Sequence, residues 1–270
     1  MTVLVTGGTG LVGSRLLGRL VDSGVRCRAL VRSGRTLPAG VTAIEGDILD
    51  PASLAAALEG ISAVVHLAAV FRTPDEDLIW KVNLEGTRNL IAATMAHAMG
   101  ARFIMASTAH VYDTNSPRPG REDDDVEPKH AYPASKVAAE NELRNSGINW
   151  SILRLPFVYG DRDGHLEDFP KHVVGKWHPA QRMSTVHHRD VATAVKMALA
   201  GVMDGHIVNI TDEAPTSVYE LVTLAGASMA PSPEPLVNPW HLHVDGSFAR
   251  SLGFQPSVRT IYQAVEEGVL

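Results

Sequence analysis

Val3-Leu4-Val5-Thr6-Gly7-Gly8-Thr9-Gly10-Leu11-Val12-Gly13 decides the fold. A short apolar run, Val3 to Val5, leads into glycines at positions 7, 10 and 13. An apolar pattern of helical spacing follows at Leu11, Val12, Leu16, Leu17 and Leu20. The reading is strand, tight turn, helix, which turns free backbone N–H groups and the positive end of a helix dipole toward an anion such as a pyrophosphate. Gly7 lets the chain turn sharply, Gly10 lets backbone approach phosphate, and Gly13 lets the helix pack close to the strand. Gly8, Gly10 and Gly13 also satisfy the general G-x-G-x-x-G pattern, which gains weight from the predicted strand just before it.

Working outward, strand and helix signals alternate through the first 155 residues. Residues 25–31, 41–45, 61–67, 102–106 and 149–155 read as further strands. The run 61–67 is continuously apolar, as in a strand buried on both faces. Helical patterns cover a stretch opened by Pro51, then 75–99 and 132–146. Strands separated by helices imply an α/β fold, a doubly wound parallel sheet with right-handed crossovers. The last third is less regular, with histidines and charges over 161–183 and four prolines between Pro231 and Pro239. Helical patterns resume at 188–200, 217–227 and 258–267. The expected organisation is a nucleotide-binding core over 1–160 and a small C-terminal substrate-binding lobe over 161–270, with a segment near 184–215 returning to the core. The acidic run Glu122–Asp125 reads as a solvated loop.

The chain has 270 residues, is 45% hydrophobic and carries a formal charge of −6. That balance, with no long Lys/Arg block, argues against a nucleic-acid surface. The single cysteine, Cys27, excludes an internal disulfide and fits a reducing compartment, with the thiol as a small core residue. No apolar stretch reaches membrane-spanning length and no secretory leader is visible. The expectation is a cytoplasmic protein without membrane or nucleic-acid partners. The pair His241 and His243 lacks acidic or cysteine partners at ligand spacing, so no metal is expected.

Tyr132-Pro133-Ala134-Ser135-Lys136 sets a phenol and an ammonium four residues apart, on one face of a helix. A cation beside a phenol stabilises the phenolate and lowers its pKa, which suits Tyr132 to general acid–base work. Together, the glycine turn and this pair resemble the short-chain dehydrogenase/reductase superfamily in its extended, epimerase/dehydratase-like branch. The resemblance covers roughly residues 1–215 and implies a Rossmann sheet. Further segments agree: Gly46-Asp47-Ile48, His66-Leu67-Ala68-Ala69, Val82-Asn83-Leu84-Glu85-Gly86-Thr87, the run from Phe103 to Tyr112, and Leu153-Arg154-Leu155-Pro156-Phe157-Val158-Tyr159-Gly160.

The resemblance implies a catalytic set of Thr108, Tyr132 and Lys136, with Thr108 favoured over Ser107 as the substrate-side hydroxyl. It implies a dinucleotide held by Gly7, Thr9, Gly10, Leu11, Val12 and Gly13. Asp47 and Ile48 would meet the adenine, and Leu67, Ala68 and Ala69 the adenosine and ribose. Asn83 is expected to be a structural asparagine at the cofactor side, Ser107 a cofactor-side contact, and Pro156, Phe157 and Val158 to close on the nicotinamide. Tyr132 and Lys136 would face the nicotinamide ribose. Strand two ends in Arg32-Ser33-Gly34-Arg35, with no acidic residue between Asp22 and Glu45. An arginine there pairs with the 2′-phosphate of NADP, so NADP is expected over NAD.

Substrate-lining segments are expected at about 70–80, 161–186 and 235–248, with Phe71, Arg72 and Arg182 as candidates. The short C-terminal lobe, and Ala109-His110 in place of a dehydratase-type Asp-Glu pair, favour an NADP-dependent oxidoreductase acting on a small-molecule carbonyl or alcohol. The alternatives are an NAD-dependent nucleotide-sugar epimerase or dehydratase and a non-catalytic NADP-sensing protein. The resemblance also suggests a homodimer.

Overall fold

Strands buried on both faces must carry their apolar residues continuously, and these do. Leu4, Val5, Val64, Val65, Phe103 and Met105 are all fully buried. The computed structural model describes the whole chain, Met1–Leu270. Its strands are β1 (Thr2–Thr6), β2 (Arg26–Val31), β3 (Val41–Glu45), β4 (Ala63–His66), β5 (Arg102–Thr108), β6 (Trp150–Leu155), β7 (Phe157–Tyr159), β8 (Arg182–Met183), β9 (Thr185–His187), β10 (Ile207–Asn209) and β11 (Thr216–Ser217). Seven of them form one sheet in the order β10-β6-β5-β4-β1-β2-β3, every pair parallel. This is a Rossmann-like, doubly wound arrangement. The small pairs β11-β8 and β7-β9 lie outside it.

Helix α1 (Leu11–Asp22) buries Gly13, Leu16, Leu17 and Leu20, one stripe at three- and four-residue spacing. That stripe shares a core with Val191, Ala194, Val195 and Ala198, which belong to a helix over residues 188–199. The opposite face of the sheet packs α2 (Ala55–Leu58), α3 (Glu76–Trp80), α4 (Gly86–His97) and α5 (Ala131–Arg144) through residues such as Leu54, Leu58, Leu90, Ile91 and Leu143. Each such leucine, fully withdrawn from water, contributes about 1.5–3 kcal/mol. A third cluster gathers Phe157, Leu166, Phe169, Val173, Leu221, Val222 and Ile261 beneath the small strand pairs. Strand β10 completes the sheet beside β6. Cys27 is buried and its thiol is pushed up to about 11 by desolvation.

Two helices differ from the sequence pattern. The stretch after Pro51 is a 3-10 turn, Pro51–Ser53, followed by only one turn of α-helix. The continuous helix expected over 75–99 is interrupted by a π turn at Lys81–Glu85 and ends at His97. Apolar periodicity cannot register an inserted residue of this kind, which recurs near functional sites. The acidic run is also not uniformly solvated. Glu122 accepts the Asn209 N–H at 2.7 Å and Asp124 pairs with Arg118.

The turn after β1 depends on two glycines. Gly7 has φ +73°, and a Cβ there would stand 2.6 Å from the Ala68 nitrogen. A Cβ on Gly13 would enter the van der Waals surface of the Gly7 carbonyl oxygen. By contrast, nothing lies within 4 Å of a Cβ added at Gly18, on the same helix. Gly7→Ala is therefore expected to lose about 1–3 kcal/mol or more. Gly18→Ala should gain roughly 0.5–1 kcal/mol through helix propensity. Urea unfolding of the two variants checks both signs.

Candidate active site

The carboxyl edge of the sheet collects the candidate residues, as parallel register requires. Thr6 pairs with His66 and Thr108 with Leu155, so the turns and loops after β1, β4, β5 and β6 emerge together. In open parallel sheets this is where ligands bind. Helix α1 starts at Gly10 with no side-chain cap. The first amides of the helix are thus left for a partner from outside the chain.

Helix α5 carries Tyr132 and Lys136 one turn apart. Two ties hold it. Asn83, fully buried in the π turn, donates to the Ser135 hydroxyl at 3.1 Å and to the Val70 carbonyl at 2.9 Å, and accepts the Val70 N–H at 2.8 Å. Ser135 in turn donates to the Tyr132 carbonyl at 2.8 Å. The Asn83 amide is thereby committed to the protein, and its role in this structure is to join α5 to the loop after β4. That loop places the Phe71 ring 5.5 Å from the Tyr132 ring. The Arg72 guanidinium lies 5.3 Å from the Phe71 ring centre and donates to His165 Nε2 at 2.7 Å. Arg72 sits at φ +58°, a left-handed conformation uncommon outside glycine, at the point where the chain bends over Tyr132.

The second tie is a buried polar network that the sequence pattern did not single out. Arg154 on β6 donates to Glu140 on α5 at 2.7 Å, with side chains 3% and 2% exposed. Its other terminal nitrogen donates to the Tyr112 hydroxyl at 3.0 Å, and Tyr112 donates to Asn209 at 2.7 Å. Ser107 donates to the same Glu140 carboxylate. Consecutive strand residues face opposite sides. Ser107 is therefore turned into this network. Thr108 is turned to Tyr132.

Beside α5 lies His66, fully buried between Thr6 at 2.6 Å and Thr87 at 2.9 Å. Burial, then the charge of Lys136, pushes its pKa to about 3, so it is a neutral bridge between β1, β4 and α4.

Burial pushes the Lys136 ammonium down to about 8, against the opposing pull of the Glu140 carboxylate one turn along. Tyr132 departs from the simple expectation. Its phenol is raised by desolvation, and the groups that oppose this are Thr108, by hydrogen bonding, and Arg72, by charge. In the protein alone, Tyr132 is thus a phenol that holds its proton.

The remaining candidates fall in several places. Arg32, Ser33 and Arg35 are exposed beyond the end of β2. Asp47 accepts the Leu49 N–H at 2.9 Å, and Ile48 is buried against Gly86. Leu67, Ala68 and Ala69 line the chain at the end of β4, against Gly7. Phe157 stacks on His165 at 4.3 Å inside the lobe core, next to Pro156 and Val158. His187 and His188 open the helix over 188–199. His187 accepts the Arg189 N–H at 3.1 Å, and His188 meets Asp163 at 2.7 Å.

A cavity of about 1010 Å³ opens beside Tyr132. Its walls come from residues 110–115, 125–133, 177–181 and His241. The first two segments were not anticipated, because nothing local marks a loop after β5 as a wall. Arg182 does not line the cavity. Its guanidinium is exposed and leans on the Pro215 carbonyl at 3.4 Å, while the neighbouring Gln181 faces inward. The strand alternation at β8 makes that exchange. No group of three His, Cys, Asp or Glu side chains is placed to hold a metal, and no helix is long and apolar enough to cross a membrane.

Comparison with known proteins agrees with this geometry. The model of the NAD dependent epimerase/dehydratase family matches residues 3–211. The chain is 30% identical over 165 residues to a ceramide reductase of Caulobacter vibrioides, across 60% of this chain and 47% of that one. It is 28% identical over 241 residues to a 4-hydroxy-2-methyl-3-oxo-4-farnesyl-3,4-dihydroquinoline-1-oxide ketoreductase of Stigmatella aurantiaca, across 83% and 72%. A UDP-glucose 4-epimerase of Thermus thermophilus, solved with NAD, superposes with a TM-score of 0.79 at 25% identity, covering 98% of each chain. The chain thus spans less than half the length of the ceramide reductase. It belongs to the NAD dependent epimerase/dehydratase family, within the extended branch of the short-chain dehydrogenases/reductases.

Glu140→Gln leaves Arg154 buried without its counter-charge. The expected loss is about 3–5 kcal/mol in chemical denaturation. Replacing both partners, as Glu140→Gln with Arg154→Met, should recover much of that loss.

Proposed function

We propose that this chain is an NADP-dependent oxidoreductase that reduces the carbonyl of a small molecule, or oxidises the corresponding alcohol. The observation that carries the reading is Tyr132: a phenol beside Thr108, on a helix anchored by Asn83 and by the Glu140–Arg154 pair, facing a cavity of ligand size.

The residues present fit a dinucleotide. A Cβ at Gly7 or Gly13 would fill the turn that would hold the pyrophosphate; Thr9, Leu11 and Val12 offer backbone amides there, while the Gly10 N–H closes the turn on the Gly7 carbonyl at 3.0 Å. Arg32, Ser33 and Arg35 would hold the 2′-phosphate, a role that suits the planar guanidinium. Asp47, Ile48, Leu67, Ala68 and Ala69 would flank the adenosine half. Pro156, Phe157, Val158 and Lys136 would flank the nicotinamide half. NADP, when bound, supplies the hydride. The chain's own residues supply position and the proton. Thr108 holds the substrate oxygen, and Tyr132 gives it a proton from a hydroxyl that burial keeps protonated. Lys136 contributes a fixed positive charge that Glu140 sustains against desolvation.

A second reading is an NAD-dependent epimerase or dehydratase of nucleotide sugars, favoured by the likeness to the UDP-glucose 4-epimerase over 98% of its length. The two readings separate on purification. Tightly retained NAD supports the epimerase, whereas freely exchanging NADPH consumed with carbonyl compounds supports the reductase.

Consumption of NADPH and NADH with a panel of carbonyl compounds is the direct assay. Tyr132→Phe should lower kcat by about 10²–10⁴-fold, the usual worth of a positioned proton donor. Arg32→Ala should weaken NADPH far more than NADH. Lys136 is depressed to about 8, so its charge is present below that pH and lost above it. The reductive rate of the wild-type protein should therefore fall as pH rises through about 8.

A further inference from the structure

The cavity beside Tyr132 has a marked chemical bias. Asp113, Asp125 and Glu127 line it, and Lys129 is the one Lys or Arg that does. Asp124, the residue before Asp125, is taken by Arg118, which leaves Asp125 and Glu127 to the cavity. Gln181 is 6% exposed and spends its Nε2 on two main-chain carbonyls, of Arg182 at 3.0 Å and His241 at 2.8 Å. Its carboxamide oxygen is the atom it offers inward. Burial lowers the His241 pKa, so that ring is neutral near pH 7. Arg72 adds a second positive charge near Tyr132 and His110.

The charged side chains of the walls are thus acceptors by three to one, and a ligand that satisfies them must bring donors. A diphosphate brings acceptors and negative charge, and would meet three carboxylates. A long apolar chain would leave those carboxylates desolvated without partners, at a cost of several kcal/mol. Trp177, half-buried with its ring 6.2 Å from that of His241, adds a flat aromatic face to the same wall. Such a face covers the C–H side of a ring while its hydroxyls reach the surrounding acceptors.

Resting on the carbonyl-reductase reading, we propose that the substrate is an uncharged, hydroxyl-rich carbonyl compound, of the class of an unphosphorylated sugar or sugar-derived ketone, held by Asp125, Glu127 and Gln181 against Trp177. This sets the chain apart from both the nucleotide-sugar enzyme and the lipid-type ketone reductases among its relatives.

The test reads binding apart from turnover. The full chain with saturating NADPH is titrated with glucose, fructose, UDP-glucose, a long-chain aliphatic ketone and a simple alkylamine, following tryptophan emission. A free sugar is expected to change the emission, and Trp177→Phe to abolish that change. UDP-glucose should bind no more tightly than glucose, and the ketone and amine should not compete. Asp125→Asn with Glu127→Gln should weaken the sugar about ten-fold or more. Circular dichroism of both variants verifies that they are folded. Ten-fold tighter binding of UDP-glucose than of glucose overturns the proposal, as does competition by the ketone or the amine, or sugar affinity unchanged in the folded double variant. NADPH consumption with a small diketone, which needs few wall contacts, reads the reductase chemistry separately. If the sugars bind and no carbonyl compound is reduced, the reductase reading alone fails. If the diketone is reduced and no sugar binds, this inference alone fails.

Discussion

The structure depends on how closely two backbones approach at the edge of the sheet. The turn after β1 lies against the end of β4, with room at Gly7 for a hydrogen and no more. The Gly7 carbonyl in turn lies against Gly13, which sets how near α1 comes to the sheet. Thr6 and His66, hydrogen-bonded at 2.6 Å just behind that contact, hold the two strands in the same register. Everything at the carboxyl edge follows from this. The uncapped start of α1 and the chain 67–69 face one groove because the strands that deliver them cannot slide apart.

A second constraint fixes the reacting end. The ties from Asn83 and from Glu140 with Arg154 converge on α5 from two different elements, while His66 bridges β1, β4 and α4 beside it. A buried ion pair is not by itself a gain in stability, since both partners lose water. Here it lies between the last strand before the lobe and the helix that carries Tyr132 and Lys136. Through Tyr112 and Asn209 it also reaches β10 and the 120 and 245 carbonyls. Helix α5 and the cavity wall therefore share one polar support, which couples the placement of Tyr132 to the shape of the cavity.

Much of this was legible in the residues. The glycine turn, the buried strands and the pairing of Tyr132 with Lys136 on one helical face are local patterns, and the structure contains each of them. What escaped was non-local or one residue deep. The π turn that buries Asn83 inserts a residue that apolar periodicity cannot count. Ser107 and Thr108 differ only in which face of β5 they occupy, and the partner that settles it, Glu140, is an ordinary-looking helix acid until Arg154 is seen opposite. Arg182 and Gln181 exchange roles for the same reason, at β8. The cavity walls at 110–115 and 125–130 come from loops, whose course depends on packing rather than on any repeat. The direction of the Tyr132 shift could not be read from its spacing to Lys136, because burial raises the phenol and helical spacing does not report burial.

The central claim is that the glycine turn, Arg32 and Tyr132 serve one bound dinucleotide. A crystal structure of the protein with NADP and a hydroxylated ketone tests it most directly. The account predicts the pyrophosphate on the amides of Thr9, Leu11 and Val12, the 2′-phosphate on Arg32, and the ketone carbon within about 3.5 Å of the hydride-bearing ring carbon, its oxygen between Thr108 and Tyr132. A ring lying away from Tyr132, or a ketone oxygen turned from both hydroxyls, would contradict it.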